Sequence, residues 1–120
     1  MKKMKDNQLD TADLEKSEPY NLVQIIKYLP NAAVSKTILK KLTGNITAMS
    51  VATGEAIVEK TLPFDTFIQI IDGRAEVIID KKKQRLKLGE GIIIPAHSTH
   101  SIKANQHIKM ISTVIKSGYE

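Results

Sequence analysis

Between residues 34 and 116 the chain is cut by turn residues into short β-rich runs, none of which is followed by a helical pattern. The runs lie at 34–42, 46–52, 56–62, 67–71, 75–79, 85–88, 92–94, 101–103 and 107–115. Gly44, Gly54, Pro63, Gly73, Gly89 and Gly91 punctuate them. Glycine tolerates positive φ and proline cannot donate to a ladder, so each marks a strand end. Many short strands without crossover helices specify an antiparallel barrel or jelly roll and disfavour a parallel α/β sheet. Asp72-Gly73, between two apolar runs, predicts a two-residue hairpin turn. In the last run His107, Lys109, Ile111, Thr113 and Ile115 alternate with Ile108, Met110, Ser112 and Val114, as a strand with two distinct faces requires.

The 120 residues suit one ordinary domain, and a hydrophobic share of 42% supports one core. Residues 1–19 are charged and lack apolar periodicity, so they read as a flexible N-terminal arm, with a barrel domain over 20–120. Within 20–28, Leu22, Val23, Ile25, Ile26 and Tyr28 allow a short helical turn or edge segment, which Pro30 stops. An exposed apolar strand needs cover, and this segment is the natural candidate for it. A homodimer in which the segment or its neighbouring strand takes part is therefore expected.

Cysteine is absent, which excludes disulfides, thiolate zinc sites and cysteine nucleophiles, and fits a reducing compartment. The apolar run at 91–96 is far too short to span a bilayer, so no membrane partner is expected. Lys2, Lys3 and Lys5 are not followed by an apolar segment of the kind a secretory signal needs, and the expected location is cytoplasmic. The formal net charge is +5, and the densest basic cluster is Lys81-Lys82-Lys83-Gln84-Arg85, with Lys87 nearby. No aromatic residue interleaves with these cations to stack on bases, so the cluster reads as a solvated hairpin tip and nucleic acid is not an expected partner.

The stretch from Leu88 through Gly89, Pro95 and His97 to His100 resembles the second conserved motif of cupins, G(X)5PXG(X)2H(X)3N. Gly89, Pro95 and His100 fall on its Gly, Pro and His. The stretch from Gly54 to Gly73 resembles the first motif, G(X)5HXH(X)3,4E(X)6G, with both glycines in place. The segment Glu59-Lys60-Thr61-Leu62-Pro63-Phe64-Asp65-Thr66 is similar to a Glu-His-x-x-Pro-Phe-Asp-Ala segment of some small single-domain cupins. The resemblance implies an all-β double-stranded β-helix, the RmlC-like jelly-roll barrel, with a degenerate metal site at its centre.

In the family pattern two histidines spaced by two residues, a glutamate and a third histidine hold a divalent metal. Here those positions carry Lys60, Leu62, Thr66 and His100. Asp65 sits one place from the glutamate position and faces the other way if strand alternation holds. The second motif's Gly is His97, and its terminal Asn position is Ala104, with Asn105 next. A first-row metal site usually needs about three protein ligands. His100, with His97 three residues before it, is the candidate for any divalent metal, and no other cofactor is implied. Lys60, Leu62, Thr66 and His100 are expected to converge on one cavity that takes a small anionic or hydroxylated molecule. The loss of ligands favours a non-enzymatic binding role. The enzyme alternatives are a metal-dependent oxygenase or isomerase, and a metal-free epimerase-like protein using His100 with Lys60, Thr66 or Asp65. His107 reads as a surface residue, and Met49 and Met110 as core.

Overall fold

A computed structural model describes residues 9–10 and 13–119, with the backbone alone described for 9–10 and 58–60. The described residues form strands β1 (Leu9–Asp10), β2 (Ala33–Lys41), β3 (Gly44–Val51), β4 (Ala56–Thr61), β5 (Asp65–Asp72), β6 (Ala75–Ile79), β7 (Lys82–Leu86), β8 (Gly91–Ile94), β9 (Thr99–Lys103) and β10 (Ile108–Ile115). They make a six-stranded sheet in the order β1-β2-β3-β10-β5-β8 and a four-stranded sheet in the order β4-β9-β6-β7. Apart from the β1–β2 pair every pairing is antiparallel, and the result is the jelly-roll architecture. No helix among the described residues is long and apolar enough to cross a membrane.

The main core lies between the sheets. Ile68, Ile70, Ile94, Ile108 and Met110 from the larger sheet meet Ala75, Val77 and Ile102 from the smaller one. Met49 packs against this cluster. A second cluster covers the outer face of the larger sheet: Ile26 and Ala32 join Val34, Ala48 and Ile111, with Ile25 and Leu29 packed beside them. The segment around Leu22–Tyr28, expected to cover an exposed apolar strand, lies with Leu29 and Ala32 over the outer face of the larger sheet. Its turns run over 22–24, and Gln24 N–H donates to the Asn21 carbonyl.

Polar contacts fasten this strap. The Lys109 ammonium donates to the Val23 carbonyl at 2.5 Å and lies 4.9 Å from the centre of the Tyr28 ring. The Tyr28 hydroxyl donates to the Asp72 carboxylate at 3.0 Å, and its ring stacks on His107 with centroids 4.5 Å apart. Burial, and then the Asp72 carboxylate, holds the Tyr28 phenol well above its usual pKa. His107 is exposed, as expected of a surface residue, whereas Lys109 is buried under the strap.

Two expectations need correction. Asp72-Gly73 is not a hairpin turn. β5 pairs with β10 and β8, whereas β6 pairs with β7 and β9, so the chain passes from one sheet to the other at this point. Gly73 is needed there for close approach: its φ is +74°, and a Cβ would run into the His107 carbonyl. The basic cluster begins at a hairpin tip, as expected, and runs on along a strand. Only Asp80 and Lys81 form the β6–β7 turn, both at positive φ as a mirror-image hairpin turn demands, while Lys82, Lys83 and Arg85 line edge strand β7. Asp80 fits this role because its carboxylate accepts the Thr99 N–H at 2.8 Å and its own N–H donates to the Thr99 carbonyl at 2.8 Å. Part of the expected arm runs beside β2: Leu9 and Asp10 pair with Ser35 and Lys36, and Leu14 N–H donates to the Ile38 carbonyl at 3.0 Å. The rest of the arm up to residue 12 lies outside the described residues.

Gly73→Ala should cost clearly more stability than Gly89→Ala. Both positions have positive φ, at about 1 kcal/mol for a Cβ, but nothing lies within 4 Å of a Cβ at Gly89. Urea denaturation of both variants checks this, and equal losses would show that the sheet-to-sheet crossing relaxes freely.

Candidate functional site

The turn at 95–98 joins β8 to β9 and brings the motif positions to one end of the barrel. Ile94, the last residue of β8, pairs with Thr66 of β5 on the larger sheet. Four turn residues later the chain enters β9 on the smaller sheet, where His100 pairs with Ile79 of β6 and with position 60 of β4. Two bonds hold the turn between the sheets. Ala96 N–H donates to the Asp65 carboxylate at 2.8 Å, and His97 N–H donates to the Leu62 carbonyl at 2.6 Å. Leu62, Asp65, Thr66, the turn, His100 and position 60 are thus gathered by backbone connectivity.

Strand alternation sets the direction of the described side chains. Thr66 shares its face of β5 with the core residues Ile68 and Ile70, and it is buried. Its hydroxyl oxygen is buried without a hydrogen-bond partner among the described residues. His100 shares its face of β9 with Ile102, another core residue, and its Nδ1 is buried. Two polar side chains thus project from opposite sheets toward the largely apolar interior. A buried hydroxyl with no partner is costly, so Thr66 marks a position where a bound group could supply the missing bond.

The remaining positions behave differently. Lys60 stands opposite His100 in register, directly after a register shift in β4 between Ile57 and Lys60; its side chain and that of Glu59 lie outside the described residues. Leu62 lies beyond the end of β4, so strand alternation from position 60 does not reach it. Its partner on the turn, His97, is exposed, with φ of 68°. Asp65 is also exposed and faces away from Thr66, as alternation predicts. Its role in fastening the turn was not read from the sequence; the signal available was a carboxylate one place from the family's glutamate position.

Among the described residues the donor set does not complete a divalent-metal site. Among the described residues no group of three His, Asp or Glu side chains is close enough together to hold an ion. His97 and His100 together fall short of the about three protein ligands a first-row metal takes, and they differ sharply in exposure.

No protein-family model matches the sequence. Among curated proteins no sequence relative is found. Solved structures do resemble it over nearly its whole length. A conserved protein of unknown function from Streptococcus pyogenes superposes with a TM-score of 0.83 at 25% identity, covering 96% of this chain and 97% of that one. A cupin superfamily protein from Desulfitobacterium hafniense gives a TM-score of 0.82 at 25% identity, covering 88% and 97%. A cupin 2 conserved barrel domain protein from Leptotrichia buccalis gives 0.78 at 28% identity, covering 81% of this chain and 47% of that one.

Proposed function

The chain is a small cupin domain, and on that premise we propose that it binds a small anionic or hydroxylated molecule at the barrel end where Lys60, Leu62, Thr66 and His100 are gathered. The carrying observation is the buried Thr66 hydroxyl without a hydrogen-bond partner, set across the barrel interior from the sheet that bears His100. A hydroxyl and an imidazole supply hydrogen bonds of both polarities, and a lysine replaces the family's metal with a covalently held cation. Such a set recognises a hydroxyl or carboxylate oxygen without a metal bridge. The role is one of binding, in the reducing cytoplasm that the lack of cysteine fits.

Self-association belongs to the same reading. The strap covers one half of the larger sheet's outer face, whereas Phe67, Ile93 and Ile115 on the other half are 39%, 64% and 56% exposed. Phe67 and Ile93 are register partners on β5 and edge strand β8, so they form one continuous apolar surface. A second copy of the chain is its proposed cover.

Three outcomes follow. Thr66→Val keeps the shape of the side chain and removes the orphan hydroxyl. It should raise thermal stability, by about 1 kcal/mol, while weakening binding of a hydroxylated carboxylate such as gluconate about tenfold in calorimetry. A stability loss with unchanged gluconate binding would overturn the site. Lys60→His places a second imidazole opposite His100 in register and should raise affinity for zinc and nickel, where the wild type binds weakly or not at all. Tight stoichiometric binding by the wild type would reveal a complete metal site. Light scattering at micromolar concentration should give a dimer mass, and Ile93→Glu should halve it; a monomeric wild type would remove the proposed interface.

A further inference from the structure

We propose that the cleft at the opposite end of the smaller sheet is a second binding site, taking the phosphate group of a small phosphorylated molecule. The cleft measures about 800 Å3. Arg74, Arg85 and Lys87 supply its cations, and Asn105 and Gln106 supply side-chain amides. It is separate from the site around His100. Ile79, the partner of His100, is four residues along β6 from Ala75 at the cleft, roughly 13 Å at the rise of a strand.

The walls meet because of Gly73. The 72–74 crossing packs so tightly on the 104–107 turn that no side chain fits between them. That approach sets Arg74 beside Asn105 and Gln106 along one side of the cleft. Lys87 and Glu90 lie in the β7–β8 connection, whose turn is held by the Glu90 carboxylate accepting the Lys87 N–H at 2.9 Å. Arg85 comes from β7, opposite Glu76 in register.

The electrostatic balance favours an anion. Two carboxylates reach the cleft, Glu76 and Glu90, and both are engaged. Glu76 meets Lys83 at 3.8 Å and Arg85 at 3.9 Å, the latter through Nε, and its register partner on β9 is Lys103. Cations around the cleft thus outnumber its carboxylates. Arginine presents several N–H donors in a planar fork that matches phosphate oxygens, and amides add neutral bonds to the same group. A dianionic phosphate answers three cations and two amides better than a single carboxylate does. The volume exceeds that of a phosphate alone and leaves room for the body of a small molecule. No aromatic side chain lines the cleft, so neither base stacking nor single-stranded nucleic acid is favoured.

Amide NMR titration of the whole chain with pyrophosphate and with glycerol 3-phosphate tests the site. Saturable shifts are expected at residues 74–76, 85–90 and 105–106. Arg74→Gln, Arg85→Gln and Lys87→Gln should each weaken binding about tenfold, whereas Lys27→Gln and Thr66→Val should leave it unchanged. The second control separates this cleft from the barrel site. Circular dichroism of the exposed-residue variants confirms that they fold. The proposal is overturned by an absence of saturable shifts at these residues, or by variants that bind like the wild type. It is also overturned if malonate binds more tightly than the phosphates, or if an oligonucleotide binds more tightly than pyrophosphate through the Lys81–Arg85 strand.

Discussion

The rest of the structure depends on β10 being enclosed on every side. It pairs with β3 along one edge and β5 along the other, and five consecutive residues, Ile108 to Ser112, are buried. Met110 points into the barrel core while Ile111 joins the cluster beneath the strap. A six-stranded sheet with one bare apolar face would invite aggregation. The strap removes half of that face using Ile25, Ile26 and Leu29, together with the Lys109–Val23 and Tyr28–Asp72 contacts that set its path. Lys109 can be buried because a carbonyl and an aromatic face both receive its charge.

The scaffold has the geometry of solved cupin structures. The turn at 95–98 still carries the chain from the partner of Thr66 to His100, fastened by the Asp65 carboxylate and the Leu62 carbonyl. Position 60 still stands opposite position 100. These backbone links bring positions 60, 66 and 100 to one end of the barrel. On the proposed reading, a site of this composition takes oxygen-bearing molecules through hydrogen bonds and one fixed positive charge.

The charges on β7 serve the fold as well as any ligand. This strand is the edge of the smaller sheet, and Lys82, Lys83 and Arg85 are exposed along it. Edge lysines discourage pairing with another chain. Of these cations Arg85 also lines the cleft with Arg74 and Lys87, so the strand that blunts an edge also contributes to the local positive potential.

The all-β class, most strand positions and the apolar strap were legible from the sequence. Each rests on local rules: alternation, β-branching, and the turn chemistry of Gly, Pro and Asp. Residues 75–79 match β6 outright. The burial of Thr66 and His100 was legible only through the motif resemblance, because a lone Thr or His carries no direction of its own. Tertiary structure decided what local rules cannot reach. Asp72-Gly73 has the composition of a hairpin, yet which strands pair depends on partners far along the chain, and β5 finds β8 and β10 instead of β6. Asp80-Lys81 makes the true turn without a glycine because contacts to Thr99 hold it. Lys109 is buried because a segment 86 residues earlier folds back over it. Turn chemistry acts over a few residues, whereas pairing and burial are set by the whole assembled sheet.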